Sequence, residues 1–112
     1  KAKVILTTDH GSVIMKNPIK IIGDRETNAN IRFKFGKNLN YQSKEIFEIS
    51  NPSDAYLPRP NVSTSYVFCK NYDYLVYPNN YNHFVKYYNN TFQHGGISLE
   101  EILSPIIVFK SK

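Results

Sequence analysis

The apolar residues of this chain gather in short runs divided by polar stretches rich in Asn and Pro. The first run, residues 3–8 (KVILTT), is continuous and β-branched, which predicts a strand buried on both faces, central in its sheet and parallel to its neighbours. Residues 12–15 and 19–22 are two further runs, and Lys16-Asn17-Pro18 between them suits a turn, so a hairpin is expected there. Residues 31–35 (IRFKF) alternate strictly, the pattern of a half-buried strand. The flanking stretches 23–28 and 36–41 read as irregular and loop-like. Residues 43–49 fit a helical turn or a strand equally well.

Pro52, Pro58 and Pro60 then punctuate a long connection, a kind of loop that more often serves function or an interface than mere linkage. Residues 64–69 and 74–77 are aromatic-rich runs on either side of Lys70-Asn71-Tyr72-Asp73 and predict the clearest β-hairpin of the chain. Residues 79–92 (NNYNHFVKYYNNTF) have room for one or two helical turns. Ser98 and Glu101 have the spacing of a capping box, which predicts a short helix over residues 98–102. Pro105 ends it, and residues 106–109 predict another buried strand.

Length and charge change this picture modestly. The 112 residues suffice for one small domain, and 41% hydrophobic residues with nine Tyr and seven Phe make it globular. Lys stands first and a strand-like run begins at residue 3, so the chain is expected to be a piece of a longer polypeptide. A net charge of +5 favours anionic partners such as phosphate, nucleotide or nucleic acid; a merely soluble basic surface is the alternative. No apolar stretch approaches the ~18 residues of a membrane span, so no membrane partner is expected. The single Cys69 lies in an apolar run and reads as a buried structural thiol in a reducing compartment.

Two short segments are candidates for chemistry. In His94-Gly95-Gly96 the glycines let the backbone turn sharply beside a ligand, and the helix start that follows offers amides to an anion; a structural histidine is the other reading. In Thr8-Asp9-His10-Gly11 a carboxylate and an imidazole leave the end of a strand, where open α/β sheets place ligands. Both side chains suit zinc or manganese, although Asp9 capping a turn beside a packed His10 fits as well.

Taken in order, Thr8-Asp9-His10-Gly11 and then His94-Gly95-Gly96-Ile97-Ser98-Leu99-Glu100-Glu101-Ile102-Leu103-Ser104-Pro105 resemble the closing segment of the alkaline phosphatase superfamily, which includes the PglZ domains. Ile22-Gly23-Asp24-Arg25-Glu26-Thr27-Asn28, Phe35-Gly36-Lys37-Asn38-Leu39-Asn40-Tyr41 and Tyr77-Pro78-Asn79-Asn80-Tyr81-Asn82-His83 look like the PglZ domain of PorX-type response regulators associated with type IX secretion. The resemblance covers nearly the whole chain.

It implies an α/β fold, a β-rich fragment of an alkaline-phosphatase-like three-layer sandwich with short helices. Residues 1–112 would be the carboxyl-terminal part of the domain, with the receiver domain and the nucleophile upstream. Asp9 and His10 would bind one of two zinc ions and His94 the other, while Arg25, Lys37, Asn38 and Asn80 would meet the substrate. The implied activity is metal-dependent phosphoester hydrolysis, with a cyclic or linear nucleotide as preferred substrate, in a cytoplasmic regulator that works through protein partners and forms a homodimer. The fragment alone would be inactive. Two further readings stay open: a non-catalytic PglZ interaction module with a structural metal site, and a basic single-stranded nucleic-acid binder.

Overall fold

The computed structural model describes residues 1–24, 27–42, 44 and 46–111. Among the described residues, ten short strands and two short helices make it β-rich, as expected of an α/β fragment. The strands are β1 (Lys3–Thr7), β2 (Val13–Ile14), β3 (Asn17–Ile22), β4 (Phe33–Gly36), β5 (Asn40–Tyr41), β6 (Ile46–Ile49), β7 (Ser65–Cys69), β8 (Asp73–Val76), β9 (Phe92–Gln93) and β10 (Ile106–Lys110). The helices are α1 (Tyr81–Tyr88) and α2 (Leu99–Ile102), and Pro52–Ala55 form a 3-10 turn within the proline-rich connection.

The core centres on β7 and β8. Alternate residues of β8 serve two clusters: Tyr74 and Val76 join Val13, Met15 and Ile31 under Tyr81, Val85 and Tyr88, whereas Leu75 joins Ile21, Val67 and Cys69. The sequence predicts β7 and β8 as a hairpin, yet they do not pair. β7 lies between β4 and β6, and β8 runs parallel to β3. A wedge explains the split: Ile31 O accepts from Leu75 N at 2.7 Å and Arg32 O accepts from Cys69 N at 2.9 Å, so the segment before β4 occupies the space where the two strands would meet. The turn itself survives, with Asp73 N donating to Lys70 O.

The expected hairpin around Lys16-Asn17-Pro18 is also absent. Lys16 N and Asn17 N both donate to Tyr72 O, which leads the chain straight into β3 beside β8, and Asn17 and Pro18 become strand residues. Pro18 lies near the strand's start, where a missing N–H is tolerated. Of residues 43–49, Ile46–Ile49 is a strand, while Ser43 and Glu45 lie outside the described residues.

The alternating segment at 31–35 buries an unexpected face. Arg32 and Lys34 are buried, while Phe33 and Phe35 are half-buried and stack on Phe68 and Tyr66, their cross-strand partners, at 5.9 and 5.1 Å. Lys34 Nζ donates to Asn28 O at 2.8 Å and lies 4.3 Å from the centre of the Tyr77 ring. Burial lowers its ammonium pKa to about 8.

The largest correction concerns β1. It is neither parallel nor buried: it pairs antiparallel with β10 from Lys3↔Lys110 to Thr7↔Ile106, and all ten residues of the ribbon are exposed. Both faces are apolar, as the sequence pattern says, but among the described residues no layer covers either of them. Residues 106–109, expected to be buried, share this correction.

Candidate metal centre

The ribbon presents the Asp9-His10 turn. Thr7 Oγ1 donates to Pro105 O at 2.8 Å, joining the end of β1 to the residue before β10, and Thr8 Oγ1 donates to His10 O at 2.9 Å, bending the chain back on itself. Gly11 N then donates to Glu101 O at 2.8 Å. A Cβ at Gly11 would stand 1.8 Å from Glu100 O, so only glycine lets the turn approach α2 this closely.

These contacts orient the imidazole. His10 Nδ1 is 2.8 Å from Gly11 O, and because a carbonyl only accepts, Nδ1 carries the hydrogen. In the neutral ring Nε2 therefore offers a lone pair. It faces Asp9 Oδ1 at 3.5 Å, and the His94 ring stacks on that of His10 with centroids 3.7 Å apart. A ring nitrogen pinned to a backbone carbonyl beside a free one is the usual arrangement of a metal-ligating histidine. The structure thus brings Asp9, His10 and His94 together, although 84 positions separate the two imidazoles in the sequence.

Glu101 organises the surroundings. Its carboxylate receives Gly96 N (3.0 Å), Ser98 N (3.2 Å) and Ser98 Oγ (2.7 Å), the capping box read from the sequence. It also meets Arg32 in a bidentate pair, Nε to Oε1 at 2.8 Å and Nη2 to Oε2 at 3.0 Å, with both side chains buried. A third guanidinium nitrogen, Nη1, donates to Asp73 O. Burial alone would raise the Glu101 carboxyl, but Arg32, Ser98 and Gly96 N–H together hold it below the usual carboxylate range. Asn30 closes the arrangement: Oδ1 accepts from Arg32 N at 2.7 Å and Nδ2 donates to His94 O at 3.4 Å. The amides of Gly96 and Ser98, offered to an anion in the sequence reading, are therefore occupied by Glu101, and α2 is a single turn.

A family model described as the BREX system PglZ alkaline phosphatase-like domain matches residues 1–109. The chain belongs to the PglZ family. No curated protein matches it. Within this PglZ domain the Asp9 carboxylate and two imidazoles match zinc by donor type alone. Three donors do not close two four-coordinate sites, and among the described residues no group of three or more His, Cys, Asp or Glu is arranged to hold an ion.

Arg25 lies outside the described residues. Lys37 is half-buried just after β4; Asn38 and Asn80 are exposed, with left-handed backbone at φ 52° and 53°, geometry that suits turns. Near Asn80, an open cleft of about 480 Å³ is lined by Gly23, Asp24, Thr27, Tyr77, Pro78 and Asn79. Cys69 is buried, and burial pushes its thiol up to about 12, which makes it inert as a nucleophile. Sequence reasoning missed Arg32 and Asn30. The capping-box glutamate is legible, but nothing local to IRFKF says which cation will reach it.

Proposed function

We propose that this chain is the ligand-bearing, carboxyl-terminal part of a metal-dependent phosphoester hydrolase. The observation that carries the reading is the meeting of Asp9, His10 Nε2 and the His94 ring within a PglZ alkaline phosphatase-like sequence. Asp9 and His10 would hold one zinc ion and His94 a second, with the remaining donors and the nucleophile supplied upstream. When bound, the ions polarise a phosphoryl group and stabilise the leaving oxygen. The chain's own residues pin His10 Nδ1 to Gly11 O, which turns Nε2 to the side of Asp9, and fix the His94 loop. Lys37 and Arg25 supply positive charge for phosphate, and a cyclic or linear nucleotide is the preferred substrate class. Likeness to PorX-type regulators supports a setting in a cytoplasmic response regulator of type IX secretion, controlled through protein partners. No described helix is long and apolar enough to cross a membrane.

A second reading, a PglZ module that binds partners without turnover, is favoured by the uncovered apolar ribbon of β1 and β10. Turnover separates the two. The zinc-loaded parent polypeptide is expected to hydrolyse a chromogenic phosphodiester, and His94→Ala is expected to lower the rate at least about a hundredfold. A parent chain inactive on this probe and on cyclic dinucleotides would leave the interaction module standing.

A further inference from the structure

Glu101 touches both halves of the histidine pair from one position. Its backbone carbonyl holds Gly11 N, one residue beyond His10, while its carboxylate holds Gly96 N, two residues beyond His94. The carboxylate is itself fixed by the Arg32 fork, and Arg32 is tied through its own amide to Asn30, whose side chain reaches His94 O. The two loops thus share one rigid support, and neither loop backbone can shift far without breaking a bond to that support. Arg32 and Glu101 are both buried, which excludes water from the fork and makes alternative pairings costly.

We infer that Arg32 and Glu101 are positioning residues that set the separation and orientation of His10 and His94 for divalent metal binding. The inference rests on the reading of Asp9, His10 and His94 as ligands. Neither Arg32 nor Glu101 is a ligand itself. The Glu101 carboxylate is spent on two N–H groups, one hydroxyl and a guanidinium, so its contribution is geometric. Outer partners of this kind change affinity about 10- to 100-fold when removed.

The test is zinc affinity of the parent polypeptide, measured by competition with a chromophoric chelator. Wild type, His94→Ala, Glu101→Gln and Gly96→Ala are compared, with Val67→Ala as a destabilised control, since Val67 is fully buried in the sheet of β4, β7 and β6. Gly96→Ala covers the case in which Glu101→Gln does not fold. A Cβ at Gly96 would stand 2.6 Å from Glu101 Oε2, so it displaces the carboxylate while every charged group remains. Glu101→Gln and Gly96→Ala are each expected to weaken zinc binding by about tenfold or more, and Val67→Ala to leave it within about twofold. Wild-type affinity in both loop variants, or an equal loss in Val67→Ala, overturns the positioning role and leaves the ligand reading intact. Zinc binding unaffected by His94→Ala overturns the ligand reading, and the positioning role falls with it.

Discussion

Buried charge is the feature that distinguishes this chain at the level of single residues. Arg32 and Glu101 satisfy each other, but Lys34 has a carbonyl and an aromatic face for company, and its pKa falls to about 8. Between about pH 8 and 10 the unfolded chain holds a lysine proton that the folded chain has released, so this residue makes stability rise with pH across that window. The gain by pH 9.5 should be on the order of 1–2 kcal/mol. Urea unfolding at pH 7 and pH 9.5 reads this gain net of the opposite contribution of Cys69, whose raised thiol loses stability as pH rises, and Lys34→Met should shift the pH 9.5 minus pH 7 difference downward by about the same 1–2 kcal/mol. Glu101 acts with the opposite limit: its carboxyl is lowered, so its contribution is present above the ordinary glutamate range and is lost as pH falls through the folded value. Neither residue was legible as a buried charge. Alternation in IRFKF shows that two faces differ, but the partners that make the cationic face the inner one lie at Asn28, Tyr77 and Glu101.

Among the elements, most strand and helix tendencies are legible locally and pairing is not, while two local expectations fail: Asn17 and Pro18 are strand rather than turn, and Asn40–Tyr41, expected to be loop, is β5. The one-turn α2 follows from Ser98 and Glu101 four residues apart inclusive, and α1 from an aromatic, helix-compatible run before Asn89. β7 and β8 were legible as strands but not as strands of different sheets, because the wedge at Ile31 and Arg32 arrives from forty residues upstream. The same limit applies to β1, whose apolar faces are evident and whose covering layers are not among the described residues. A contrast in mutational cost follows. Leu75→Ala, at a side chain 1% exposed, should cost about 2–5 kcal/mol. Ile107→Ala, 45% exposed in β10, should cost within about 1 kcal/mol in this chain. Denaturant titration checks both, and the second value should grow toward the first in the parent polypeptide if the ribbon is covered there.

On the scale of the whole molecule, the radius of gyration is 17.2 Å and the extents are 58 × 35 × 23 Å, whereas a compact chain of this length has a radius near ~13 Å. The elongation fits an uncovered ribbon beside a body whose two core clusters share β8. It also fits a piece that gains its remaining layers from elsewhere, in keeping with the reading proposed for the site. The candidate donors lie at the junction of ribbon and body: Asp9 and His10 follow β1, and His94 precedes α2.

The bond from Gly11 N to Glu101 O joins positions about ninety residues apart, and β1 meets β10 across a still longer span. The β1–β10 pairing therefore cannot form until residues 106–110 are in place. Closing such a loop is entropically slow, so the ribbon and the histidine pair should be the last parts to acquire native order. In refolding followed by pulsed hydrogen exchange, the amides of β7 and β8 should gain protection before those of β1; simultaneous protection would contradict this order. In a chain built this way the two histidine loops meet late in folding.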